Sequence, residues 1–275
     1  MLWLNVAVKP KLSWPNKHIE LTFENNRLEL SPMTMEHAPT VSLYVETEIT
    51  FEAGGTLLCR FLSRLAWSMD AGISNEFFSG SNNPEHPGLM GRLNYSDFGW
   101  INCEPWQLLY MPKVSTLSAE LALALYREGM TLDSIPFSFL SYFKILNIQH
   151  EKGDVQQTWI NDNLNKISGI IEKQRLQELQ NSYQNIGKYL YKQGRCAVAH
   201  AHNTPIVNPD NYADKHRLEL DLPLMKELAN IYIENEFFVL SNYSFNKNFS
   251  GKFTDEALIK SESNGVIVYR PWTPS

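Results

Sequence analysis

Cysteine is scarce in this chain: Cys59, Cys103 and Cys196 are the only three in 275 residues. An odd count without metal-like spacing argues against a disulfide framework. Long apolar runs are missing as well. The longest fall far short of a membrane span, so no membrane partner is expected. Residues Met1 to Pro10 carry no basic flank before their apolar positions and hold Asn5 and Lys9 among them, which makes a poor signal peptide. There is no internal repeat and no low-complexity segment. There is no P-loop and no G-x-G-x-x-G, and Gly54-Gly55 lacks the lysine of a phosphate loop. Bases are in deficit, 24 against 30 acids, for a formal charge of −6. That argues against a surface coated in positive charge for bulk nucleic-acid binding.

What is present is a foldable composition, 43% apolar and 12% aromatic, which excludes a disordered chain. The reading is a cytoplasmic protein of one large domain or two modest ones. Its charge is segregated. Between 166 and 195, six bases (Lys166, Lys173, Arg175, Lys188, Lys192, Arg195) face two acids (Glu172, Glu178). Between 219 and 236, five acids (Glu219, Asp221, Glu227, Glu234, Glu236) face Lys226 alone.

The hydrophobic pattern changes period along the chain. Ile19, Leu21 and Phe23, then Leu28 and Leu30, alternate about Asn25-Asn26 and predict a hairpin. Val41 to Phe51 alternates and predicts one long half-buried strand, ended by Gly54-Gly55. From Leu57 to Met69 the spacing is helical, with Arg60 and Arg64 off the stripe. Residues 72–114, with the Gly, Pro and Asn cluster from Ser79 to Gly91, read as short strands and loops.

From about 115 helices take over. One is capped by Thr116 or Ser118; a second is capped by Asp133 or Ser134 and runs to about Ile148, with a polar seam at Ser138, Ser141, Lys144 and Asn147. Leu176, Leu179, Tyr183, Ile186 and Leu190 predict a continuous seam, stopped near Gly194. Asp221 is the expected cap of a last long helix. Val266, Val268 and Tyr269 predict a strand in the tail. The fold class is therefore α+β: a β-rich module with one long helix over 1–114, a helical bundle over 115–250 and a tail over 251–275.

Arg195 and His200 form an R-x4-H pair. Arginine offers a planar, permanently charged fork for phosphate. Histidine can take a proton from a ribose 2′-hydroxyl or give one to a leaving oxygen. Together they could cleave RNA without metal. Five residues apart on an α-helix the two side chains diverge by about 140°. Convergence therefore asks for a break at Gly194, which would put Arg195 at a helix start with free N–H groups for phosphate. Spacing alone equally allows a structural Arg–His pair inside a bundle. His200 and His202, two apart, cannot readily share a metal, and His216 offers no i,i+4 partner. Cys196 reads as packing rather than as an activated thiol. Glu234 and Glu236 read as a solvated helix face.

The helices from about 117, Tyr142-Phe-Lys-Ile-Leu146, the run Leu190-Tyr-Lys-Gln-Gly-Arg-Cys-Ala-Val-Ala-His200-Ala-His202, and Asn208-Pro-Asp210 before a last helix resemble the HEPN superfamily. More narrowly they are similar to its methylamine-utilisation J-like and Apea-like families, over about residues 115–243. The resemblance implies a helical bundle that forms a homodimer. It implies a metal-independent endoribonuclease of a toxin or defence system, with Arg195 and His200 as the catalytic pair and no cofactor. It equally admits a non-catalytic, dimerising interaction module with a protein partner or regulator. Lys188 and Lys192 are the expected RNA-binding residues on the rim. Two positions differ from the pattern: Cys196 directly follows the arginine, where active members often carry a polar residue, and Asn147 ends the second helix, where many relatives carry an acid.

Overall fold

The computed structural model describes residues 2–11, 13–34, 37–45, 49–84, 102–103, 106–200, 205–208, 210–248, 256–263 and 266–271. The fold is α+β. It divides into two compact units, one of Met1–Lys113 with Asn242–Ser275 and one of Val114–Ser241.

The first unit is built on a sheet. Its strands are Trp3–Pro10 (β1), Ile19–Phe23 (β3), Asn26–Ser31 (β4), Thr40–Tyr44 (β5), Ile73–Ser81 (β6), Leu258–Ser263 (β8) and Val266–Pro271 (β9). They order as β6-β1-β5-β4-β3-β9-β8. A separate two-residue pair joins Trp14–Pro15 (β2) to Asn102–Cys103 (β7). The tail re-enters the sheet: β9 lies parallel to β3, with Ile19 opposite Ile267 and Leu21 opposite Tyr269. Tyr269 is locked there. Its hydroxyl donates to the Trp106 carbonyl at 3.1 Å and accepts from the Leu108 N–H.

The helix Phe51–Met69 (α1) covers one face of the sheet, its Leu57, Leu58, Phe61, Leu62 and Leu65 all buried. Here the expected long strand is corrected. β5 ends at Tyr44, residues 46–48 lie outside the described set, and Phe51 already belongs to α1. Thr50 caps that helix by accepting from the Ala53 N–H. Gly54 and Gly55 therefore sit inside this helix rather than beyond a strand. A Cβ at Gly54 would come 2.6 Å from Leu4, so glycine there lets helix and sheet close. The hairpin turn falls one residue earlier than expected, on Glu24 and Asn25, both at positive φ. Glu24 accepts from Arg60 and Arg64, which explains two arginines off the apolar stripe. Much of the predicted loop region, residues 85–101, lies outside the described set.

The second unit is helical: Leu117–Thr131 (α2), Ile135–Asn147 (α3), Gly153–Asn163 (α4), Ile170–Ser182 (α5), Ile186–Tyr189 (α6), Ala197–Ala199 (α7) and Tyr212–Phe237 (α8). Thr116 caps α2 through the Ala119 N–H. The α3 seam is buried at Ser138 and Ser141, exposed at Lys144 and half-buried at Asn147. The helix Asn242–Asn248 (α9) belongs to the first unit, where Phe245 stacks on Tyr110 at 4.2 Å between ring centres.

Two helical expectations are corrected. The seam from 176 to 190 is not one helix: α5 stops at Ser182, and Asn185 recaps the chain by accepting from the Lys188 N–H. Leu176, Leu179, Ile186 and Leu190 are buried within this unit, whereas Tyr183 of the same seam is exposed. The last helix starts at Tyr212, capped by Asn211, and not at Asp221. Asp221 lies inside α8 and is fully buried, because its carboxylate is taken by side chains of α5 and α6 rather than by backbone N–H groups. Pro223 is carried within the same helix.

α8 ends on Phe238, which holds a left-handed backbone (φ 58) while its side chain is 85% exposed. A bulky residue is strained there and contributes little packing, whereas glycine adopts that conformation freely. Phe238→Gly is expected to stabilise the protein by about 0.5–1 kcal/mol. Urea unfolding monitored by circular dichroism checks the sign, and a lower midpoint would mean that the ring contributes packing.

Candidate functional site

The run from α6 to α7 is continuous but not uniform. Between Leu190 and Cys196 the backbone is π-helical. His200 closes α7 in an extended conformation, φ −130 and ψ 115. The chain does not break at Gly194, as expected, but ends its helical run at His200. The π winding stops at Cys196, and the His200 N–H bonds α-helically to the Cys196 carbonyl at 3.0 Å. His200 itself leaves the helix, which frees it from the divergence of about 140° that an α-helix imposes on residues five apart.

The run is seated by glycines. A Cβ on Gly187 would lie 2.2 Å from the Gln157 carbonyl oxygen of α4. A Cβ on Gly194 would lie 2.4 Å from Phe139 of α3. Gly194 is therefore a contact point rather than a stop signal. Asn161 of α4 adds a polar tie, accepting from the Gly187 N–H at 2.8 Å and donating to the Asn185 side chain at 2.9 Å.

On this seat Arg195 and His200 meet. Arg195 Nη1 lies 3.2 Å from His200 Nε2. A guanidinium can only donate, so Nε2 is the acceptor and the neutral ring carries its proton on Nδ1. Both residues are half-buried. Arg195 lies near the C-terminal end of the run rather than at a helix start, which corrects the expected supply of free N–H groups. The dipole there favours the cation and does not itself attract phosphate.

Tyr191 is a neighbour of the pair that the R-x4-H spacing does not reveal. Its ring centre is 5.7 Å from the Arg195 guanidinium and 5.7 Å from the Lys192 ammonium. Phe143 meets the ring edge-on at 6.0 Å. Burial, with Cys196 beside it, pushes the Tyr191 hydroxyl above its ordinary range, so it stays protonated at neutral pH. Cys196 Sγ in turn lies 3.9 Å from Arg195 Nη1. Of the expected rim residues, Lys192 reaches this cluster through Tyr191, while Lys188 is exposed one turn earlier, outside it. The signal available in the sequence was an aromatic residue four positions before Arg195.

A buried ion cluster anchors the start of the run. Asp221 accepts from the Tyr189 hydroxyl at 2.9 Å and from Arg175 Nε at 2.9 Å, with Arg217 at 3.6 Å. Burial pushes the Asp221 carboxyl up, against the pull of Arg175, Tyr189 and Arg217. Burial, then the Asp221 charge, pushes the Tyr189 hydroxyl up to about 12. The basic and acidic segments thus meet inside one unit. Glu227 of α8 reinforces this, accepting from the N–H groups of Ser168 and Gly169 before α5.

Among the described residues no group of three or more His, Cys, Asp or Glu is arranged to hold a metal. His202 lies outside the described set. Among the described residues no helix is long and apolar enough to cross a membrane.

Asp221→Ala would leave Arg175, whose side chain is only 15% exposed, without its buried counter-ion. The expected loss is about 3–5 kcal/mol. Chemical denaturation measures it, and a loss under about 1 kcal/mol would show that water replaces the carboxylate.

Residues 122–234 match the model of a family described as Methylamine utilization protein MauJ. The matched stretch starts in α2, ends in α8 and includes Arg195 and His200. No curated protein and no solved structure matches the chain.

Proposed function

We propose that the helical unit is a HEPN-type ribonuclease module that cleaves RNA without metal, using Arg195 and His200. The observation that carries this reading is the 3.2 Å approach of Arg195 Nη1 to His200 Nε2. A fork for phosphate and a proton acceptor for a 2′-hydroxyl stand side by side, with exposed Lys192 next to them. The similarity of residues 122–234 to the MauJ family supports the same fold assignment.

In this chemistry the phosphate takes over the Arg195 N–H groups, which uncovers the Nε2 lone pair. The 2′-hydroxyl gives its proton to Nε2 while the 2′-oxygen bonds to phosphorus. The P–O5′ bond breaks, and the 5′-oxygen leaves after taking a proton from water. The products are a 2′,3′-cyclic phosphate and a free 5′-hydroxyl. DNA lacks the attacking group. A homodimer through the helical unit, a role in toxin or defence systems and a cytoplasmic setting belong to the same proposal. A monomer in sedimentation at high micromolar concentration would remove the dimer from it.

The test incubates the purified full chain with a mixed RNA pool and with DNA. Cleavage of RNA alone, with cyclic phosphate ends and in the presence of EDTA, is expected. Arg195→Lys should lower the rate by about 10²–10³, because a point charge cannot hold two phosphate oxygens in a plane. His200→Ala should cost about 10²–10⁴. Cleavage that needs added Mg²⁺, or a double variant as active as the natural chain, would make the pair structural. No cleavage of RNA under any of these conditions would make the helical unit a binding module.

A further inference from the structure

We propose that Tyr191 is a positioning residue that holds Arg195 against His200. This inference rests on the reading of Arg195 and His200 as the working pair.

Arginine is long and flexible, and a half-buried one facing solvent would sample many rotamers. Here two neighbours restrain it, the Tyr191 ring and the Cys196 sulfur. The ring face attracts the guanidinium, with 5.7 Å from Arg195 Cζ to the ring centre. Arg195 Nη1 also lies 3.9 Å from Cys196 Sγ. That same nitrogen meets His200 Nε2. The contacts run from the Tyr191 ring to Arg195 and on to His200, with Cys196 beside the guanidinium.

Tyr191 can hold Arg195 only if it is held itself. Phe143 of α3 meets one side of the ring. On another side the first residue of α4 is Gly153, where a Cβ would lie 2.4 Å from both the Cζ and the hydroxyl of Tyr191. The ring thus occupies space that any other residue at 153 would fill. The π winding brings Cys196, five residues on, toward Tyr191. This also gives Cys196 a physical role next to the arginine, where a polar residue was expected.

The experiment uses the full chain with ¹⁵N-labelled histidine, and long-range ¹⁵N–¹H correlation reads which ring nitrogen of His200 carries the proton. In the natural chain the neutral ring should be the Nδ1–H form. Tyr191→Leu should convert it to a mixture with the Nε2–H form. In RNA cleavage the same variant should lose about 10–100-fold in kcat. KM should change little, because the charge on Arg195 is kept. Tyr191→Phe keeps the ring face and should retain the Nδ1–H form and most of kcat. Gly153→Ala, which leaves the motif untouched and suits a helix start, should displace the ring and shift the tautomer as Tyr191→Leu does. It decides the matter if Tyr191→Leu does not fold. A folded Tyr191→Leu or Gly153→Ala with an unchanged His200 tautomer would reduce Tyr191 to packing. If the natural chain cuts no RNA, the ribonuclease reading fails, while the tautomer measurement still decides the role of Tyr191.

Discussion

The close approach of the run 186–199 to α3 and α4 is the constraint on which the site depends. Backbone meets backbone at Gly187, and a helix meets an aromatic ring at Gly194. Neither contact tolerates a methyl group without a shift of neighbours. Interiors are packed to near-crystalline density, so such a shift propagates rather than being absorbed locally. With both ends of the run pinned, the side chains between them have little freedom of direction. Tyr191 is turned inward onto Gly153 and Phe143, and Arg195 is left between that ring and His200.

A second layer keeps the run from peeling away. Tyr189 donates to a fully buried carboxylate, Asp221, that Arg175 also binds. Burying such a charge is costly, and removing one partner costs more than the cluster itself contributes. The geometric consequence matters more than the net energy. α5, α6 and α8 are tied at one point immediately before the π winding begins. The acid-rich and base-rich stretches are complementary surfaces of one unit, and their segregation in sequence reflects their meeting in space.

The α+β class was legible because it rests on periodicity, which local sequence carries. The β3–β4 hairpin, the start of α2 at Thr116 and the apolar stripe of α1 follow the same way. Other features depended on contacts that no window of sequence contains. Asp221 followed by Leu222 and Pro223 has the local chemistry of a helix start, yet the helix runs through it because Arg175 and Tyr189 claim the carboxylate. Leu176 to Leu190 keeps helical spacing across the break at Tyr183–Asn185, because both segments bury the same face. Gly54 was read as a strand boundary, but its reason is the approach of α1 to Leu4. The pairing of β9 with β3 joins residues about 250 apart and leaves no local trace.

The Arg195–His200 contact was inferred from chemistry, but the device that permits it was not. A break at Gly194 and a helix end at His200 both solve the same angular problem, and only the break has a familiar sequence signature. The two solutions differ electrically. A helix start would have presented N–H groups to a phosphate, whereas the C-terminal end of a helical run presents carbonyl oxygens. Here the backbone therefore favours the cation over the anion, and a phosphate would have to be held by side chains. That places the demand on Arg195 itself, with Lys192 beside the same ring. It also makes the orientation of one guanidinium, rather than a cradle of amides, the quantity on which this site turns.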